Sequence, residues 1–184
     1  MPMPQEYQLA SQRYESFLKA AQEALDLTTR NQTYTCVQAT LLTFQHRLTA
    51  EQILMFADTL PAVLRAIFTS GWSPNDFRPE FGREDDWQAE VKALRVHHNF
   101  ADDETPARIA AVLRQHVDLP RFEKVLKQIG PDALRFWGIE ATARIGAPSR
   151  RSGKLPSERD HVSRIRMNAK YYIATQTAFV RVML

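Results

Sequence analysis

The chain has 184 residues, 44% of them hydrophobic and 24% charged, an ordinary balance for a globular protein that buries a core. A single cysteine excludes an internal disulfide, and 6 glycines in the whole chain leave little room for a glycine-rich phosphate loop. The net charge of +3 is uneven: residues 1–142 hold 15 Lys/Arg against 19 Asp/Glu, and residues 143–184 hold 9 against 2, so the basic excess belongs to the last quarter of the chain.

In chain order, the opening MPMPQEYQLASQRYESF lacks the basic-then-apolar order of a secretory signal. Tyr14, Leu18, Ala21 and Leu25 recur at helical spacing and predict a first helix that TTRN ends. Asn31 is placed to cap a second, whose apolar face is Val37, Leu41, Phe44 and Leu48. Cys36 on that face reads as a small core hydrophobe. Thr49 and Gln52 have capping-box spacing ahead of a third helix with Ile53, Phe56, Ala57 and Leu60. Pro61 suits the first turn of a fourth, where the missing amide would have no partner in any case; Leu64, Ile67 and Phe68 give its buried side. Within the apolar stretch Ala50 to Thr69, Glu51, Asp58, Pro61 and Arg65 rule out a membrane span.

TSGWSPNDFRPEFG, residues 69–82, is the clearest break, a connection packed by Trp72, Phe77 and Phe81. Glu84, Asp85 and Asp86 suit the positive end of the next helix, which continues through Trp87, Val91 and Leu94. Pro106 starts a helix with Ile109, Val112 and Leu113, for which Asp102 and Asp103 are expected caps. Asp118 caps another with Phe122, Val125, Leu126 and Ile129. Gly130-Pro131 opens the last, with Leu134 and Trp137. Beyond it, GAPSRRSGKLP reads as a basic linker. Val162, Ile165, Ala169, Tyr172, Gln176 and Phe179 form the stripe of an amphipathic helix, with a strand as the competing reading of YYIATQTAFVRVML.

TLPAVLRAIF and QIGPDALRFW say nearly the same thing twice. An offset of 69 pairs Phe44 with Leu113, Ile53 with Phe122, Ala57 with Leu126 and Leu60 with Ile129; after one extra residue, Gly130, Pro61 pairs with Pro131, Leu64 with Leu134 and Arg65 with Arg135. Agreement in core positions and punctuation is what an internal duplication leaves. The expected architecture is all-α: a helical bundle of two similar halves, about 32–70 and 104–140, linked by 71–103, within a domain of residues 1–142. A basic linker and amphipathic helix follow over 143–184.

The stretch from Leu41 to Phe81 resembles the bacterial domain of unknown function numbered 2267. The resemblance rests on Leu41, Phe44, Arg47-Leu48, Thr59-Leu60-Pro61, Leu64-Arg65, Phe68, Gly71-Trp72 and Pro74, and its second half is similar to Ile129 through Trp137. It departs at Gly130, where the family usually has Leu. The resemblance spans roughly Tyr14 to Trp137; it implies an all-helical domain of duplicated halves and brings no assigned activity or catalytic residues.

No motif for nucleophilic, phosphoryl or zinc chemistry is present, so no catalytic, cofactor-binding or metal residue is named and no cofactor is expected. His97, His98, Asp102, Asp103 and Glu104 lie close in sequence, but their spacing fits no ligand set. Arg65 and Arg135, in matching places, are expected to make contacts between the halves. Arg144, Arg150, Arg151, Lys154, Arg159, Arg164, Arg166 and Lys170 are the candidate polyanion contacts, with Tyr171 and Tyr172 available to stack on bases. The leading expectation is a non-catalytic binding or scaffold module in a bacterial cytoplasm, working through a protein partner or self-association. Nucleic-acid binding through the tail is the alternative, and an enzyme of unknown type the third.

Overall fold

A computed structural model describes residues 4–74, 78–95 and 99–139. Among them every regular element is a helix: α1 (Gln5–Gln8), α2 (Ala10–Leu25), α3 (Arg30–Gln45), α4 (Ala50–Ala57), α5 (Ala62–Thr69), α6 (Glu84–Ala93), α7 (Thr105–Gln115), α8 (Leu119–Ile129) and α9 (Pro131–Phe136). The all-α bundle expected from the periodicity is what the described residues form.

Local chemistry explains most of the boundaries. α2 ends earlier than TTRN, because Asp26 takes the left-handed conformation (φ 53°) and Leu27 donates back to the Gln22 carbonyl at 3.2 Å, closing the helix in a Schellman turn. α3 is capped two residues ahead of the expected position. Thr29, not Asn31, accepts from the Gln32 amide at 3.3 Å, and the Gln32 side chain accepts from the Thr29 amide at 3.1 Å. Both residue types cap well, but only Thr29 has a Gln three residues on to complete the box. The Thr49–Gln52 box at α4 is present as expected, with bonds of 2.9 and 3.2 Å. Pro61 sits just ahead of α5 and its carbonyl accepts from Arg65 N at 2.9 Å. Asp118 caps α8 through the Arg121 amide at 3.1 Å.

Asp102 and Asp103 are not the caps of α7. Glu104 occupies that position without a side-chain bond. Asp102 instead forms a reciprocal pair with Thr105, its carboxylate accepting from the hydroxyl at 2.8 Å while the hydroxyl accepts from its amide at 3.0 Å. Asp103 reaches across to Lys92 of α6.

The core is aromatic and lies where rings from both expected halves meet. Phe44 of α3 touches Phe56 of α4 (4.7 Å between centroids), Phe136 of α9 (5.1 Å) and Trp137 (5.3 Å). Phe56 in turn touches Phe68 of α5 (4.9 Å), Phe122 of α8 (5.5 Å) and Trp137 (5.4 Å). These rings are buried, and such tilted and edge-to-face pairs add to the burial energy. α2 and α3 cover the cluster together with α7, and α4 packs side by side with α8.

The offset of 69 recurs in contacts that periodicity does not reveal. The side-chain caps Thr49 and Asp118 are 69 apart, as are the first helical residues Ala50 and Leu119. Gln45, near the end of α3, donates to the Phe68 carbonyl after α5 has turned back; Arg114, near the end of α7, donates to the Trp137 carbonyl in the same way. Donors and acceptors are again 69 apart.

Candidate functional site

Charge is buried at one place above all, the end of α3. The helix closes at Gln45, and the next two residues turn under it, with Arg47 N donating to the Phe44 carbonyl at 3.1 Å. That turn carries the Arg47 guanidinium inward, and only 3% of its side chain stays exposed. α6 supplies the counter-charge. Its stripe Trp87, Val91, Leu94 faces the core, and Glu90, three residues after Trp87, rides on the same side. Arg47 Nη2 meets Glu90 Oε2 at 2.7 Å, and the other carboxylate oxygen meets His46 Nδ1 at 2.7 Å. A carboxylate only accepts, so His46 Nδ1 is the donor and carries the ring proton. Burial alone would raise the Glu90 carboxyl; the His46 hydrogen bond and the Arg47 charge overcome it and hold the group below its ordinary range.

The other two nitrogens of Arg47 each donate to a backbone carbonyl. Nε donates to the Phe81 carbonyl at 3.2 Å, and Nη1 to the Thr43 carbonyl. Phe81 also accepts from the Trp87 indole N–H, and the next carbonyl, Gly82, accepts from Arg135 Nη2 at 2.8 Å. The Arg135 guanidinium lies over the Trp87 ring at 5.1 Å, a cation–π contact. The end of the connection between α5 and α6 is thus held from α3, α6 and α9 at once.

On the outer side of His46 is a shallow cleft of about 290 Å³, lined by Thr49, Trp72, Ser73 and Arg78 among others. An imidazole buttressed by a carboxylate beside hydroxyls has the components of a proton-transfer pair. Here the same carboxylate also carries Arg47, whose other donors hold backbone carbonyls, so the group is bonded into the fold.

The two arginines expected to join the halves stand in different surroundings. Arg65 donates through Nε to the Ala57 carbonyl (3.0 Å) and through Nη2 to the Leu60 carbonyl (3.3 Å), and pairs with Glu6 of α1 at 3.1 Å. Arg135 bonds Gly82 and pairs with Asp132 at 3.0 Å. The cause is the shape of the preceding helix. α4 ends at Ala57, and the guanidinium reaches the carbonyls of the turn that follows, Ala57, which also accepts from Leu60 N at 3.1 Å, and Leu60. α8 runs on to Ile129 and is closed by Gly130, whose amide donates to the Leu126 carbonyl at 3.0 Å.

Cys36 is wholly buried, its Sγ 3.9 Å from Asn99 Oδ1, and burial pushes the thiol up to about 11. Asn99 caps α6, donating to the Val91 and Leu94 carbonyls at 2.6 and 2.7 Å. Among the described residues no group of three or more His, Cys, Asp or Glu side chains is arranged to hold a metal ion, and no helix is long and apolar enough to cross a membrane. His97 and His98 lie outside the described residues, as do Arg144, Arg150, Arg151, Lys154, Arg159, Arg164, Arg166, Lys170 and the two tyrosines of the tail.

Sequence reasoning did not single out His46 or Glu90, and saw Arg47 only inside the family pattern. A usable signal existed: a lone carboxylate three residues from Trp87, on the stripe of a helix that otherwise buries apolar side chains. The family model described as an uncharacterized conserved protein (DUF2267) matches residues 14–135. No curated protein matches the chain.

Proposed function

We propose that this chain, which belongs to the uncharacterised DUF2267 family, is a non-catalytic helical binding or scaffold module that acts through protein–protein contacts in a bacterial cytoplasm, its body built from two duplicated halves. One observation carries the reading: the most chemically equipped cluster of the body spends its hydrogen bonds on architecture. Arg47 is tied to Thr43, Phe81 and Glu90, and Glu90 to His46. The recurrence of the 69-residue offset in caps and carbonyl bonds supports the duplication.

The test has two arms on the full chain. Self-association or a retained host protein, measured by sedimentation and cross-linking, is the expected result. Turnover of chromogenic esters or phosphoesters that disappears in His46→Ala would overturn the reading and make the cleft an active site.

A second reading, polyanion binding, is favoured by the 9 basic against 2 acidic residues of 143–184. It places Arg144, Arg150, Arg151, Lys154, Arg159, Arg164, Arg166 and Lys170 on phosphates. Labelled RNA and DNA should then bind at low salt and weaken steeply as salt rises; binding unchanged by removal of residues 146–184 would exclude this role for the tail.

A further inference from the structure

We propose that α4 and α8 together form a self-complementary face on which two copies of this chain pair about a two-fold axis. The inference rests on the protein-binding reading above and names its partner as a second copy of the chain.

The two helices pack side by side and bury equivalent faces, Ile53, Phe56 and Ala57 from α4 and Phe122 and Leu126 from α8, in one core. Their outward faces therefore adjoin on one surface. On α4 that face holds Glu51, Leu54 and Asp58, all exposed, at a spacing of three and four residues; Leu54, at 67% exposure, is the most exposed large apolar residue of the described body. On α8 it holds Arg121, Lys124 and Lys127, with Leu119 exposed at the helix start. Lys127 is paired with Glu123 of its own helix. Glu51, Asp58, Arg121 and Lys124 enter no ion pair among the described residues.

One surface thus presents an acidic strip beside a basic strip, each with an exposed leucine. A two-fold operation lays the acidic strip of one copy on the basic strip of the other, and the reverse match forms at the same time. Laying α4 on α4 would instead bring carboxylates together. No other partner is implied by the surface itself, since each copy already carries both members of the match. Helices of 8 and 11 residues are about 12 and 17 Å long. Two of them, some 8–10 Å apart, cover an area at the low end of specific interfaces. The expected dimer is therefore reversible, and because its charges are exposed it weakens as salt rises.

Charge exchange tests the proposal. Full-length wild type, Glu51→Lys/Asp58→Lys and Arg121→Glu/Lys124→Glu are compared by sedimentation equilibrium at low and high salt, with helicity and melting measured to show that these exposed changes leave the fold intact. Each double variant alone should raise the dissociation constant about tenfold or more, since four cross-copy attractions become repulsions. An equimolar mixture of the two should form a heterodimer near wild-type strength, because α4 of one then faces α8 of the other with opposite charge in both contacts. A wild type that is monomeric at low salt overturns the proposal, while partner capture from the host would still uphold the binding reading. A dimer that survives both double variants, or a mixture that fails to pair, also overturns it. Loss in Glu51→Lys/Asp58→Lys only, with the α8 variant unaffected, assigns the acidic strip to the basic 143–184 segment and overturns it likewise.

Discussion

A buried ion pair is held by what surrounds it more than by its own attraction, and Glu90 shows this at the scale of one residue. Its carboxylate has lost water and regains bonds from Arg47 and His46. Removing one partner leaves the other buried and uncompensated, which costs about 3–5 kcal/mol. Arg47→Met should lower stability by that order in urea unfolding. The pH dependence has a definite sign. Glu90 has a folded-state pKa below its unfolded value, so its contribution is present above the unfolded carboxyl pKa and is lost as pH falls through the folded one. Glu90→Gln should flatten the acid limb of a stability–pH curve while lowering the neutral plateau; an unchanged acid limb would refute the assignment. His116 acts in the same direction in a higher window. Burial lowers its pKa, beside Phe17 at 5.5 Å. Below about pH 6.5, the ordinary histidine value, the unfolded chain takes up a proton that the folded chain resists. Stability should decline there, and His116→Gln should remove that decline. His116 is legible in the sequence only as a residue past a helix end; its environment is made by α2, whose Phe17 lies 99 positions away.

At the scale of the element, helix starts were readable and helix ends less so. A start is a local event: Thr49 with Gln52, and Asp118 with the Arg121 amide, need only neighbouring residues. The start of α3 differs from expectation because Thr29 and Asn31 are both good caps, and that of α7 because Asp102 bonds Thr105, the first helical residue, in a turn that leaves Glu104 at the cap position. Ends depend on where the chain must go next. Gly130 joins α8 to α9 at φ 140° and ψ 175°, a region that side chains rarely adopt, although a Cβ there would meet no atom within 4 Å. Glycine at this position is therefore a backbone requirement, with space playing no part. Gly130→Ala should destabilise by about 1–3 kcal/mol, measured as a lower urea midpoint at unchanged slope; a neutral result would mean the joint relaxes to another conformation.

Across the described body, one aromatic cluster joins helices distant in sequence. Phe44, Phe56 and Phe68 of α3, α4 and α5 meet Phe122 of α8, Phe136 of α9 and Trp137. Neither set of helices can lose its rings without opening the core of the other. The described body should unfold in a single transition, with tryptophan fluorescence and helical circular dichroism coinciding; separate transitions would show that the cluster does not couple α3–α5 to α8 and α9. The single turn of α1 was not legible in the sequence, while the helical class, the order of α2 to α9, most of their starts and the apolar faces they bury were. All of these are set by contacts a few residues apart, through the 3.6-residue period and the caps. Only packing decided that Arg47 meets Glu90 from 43 residues away, that Arg65 bonds the Ala57 and Leu60 carbonyls while Arg135 holds Gly82, and that α4 lies against α8. Those outcomes depend on which carbonyls and faces the packed helices leave open, and packing brings together residues that no local pattern relates.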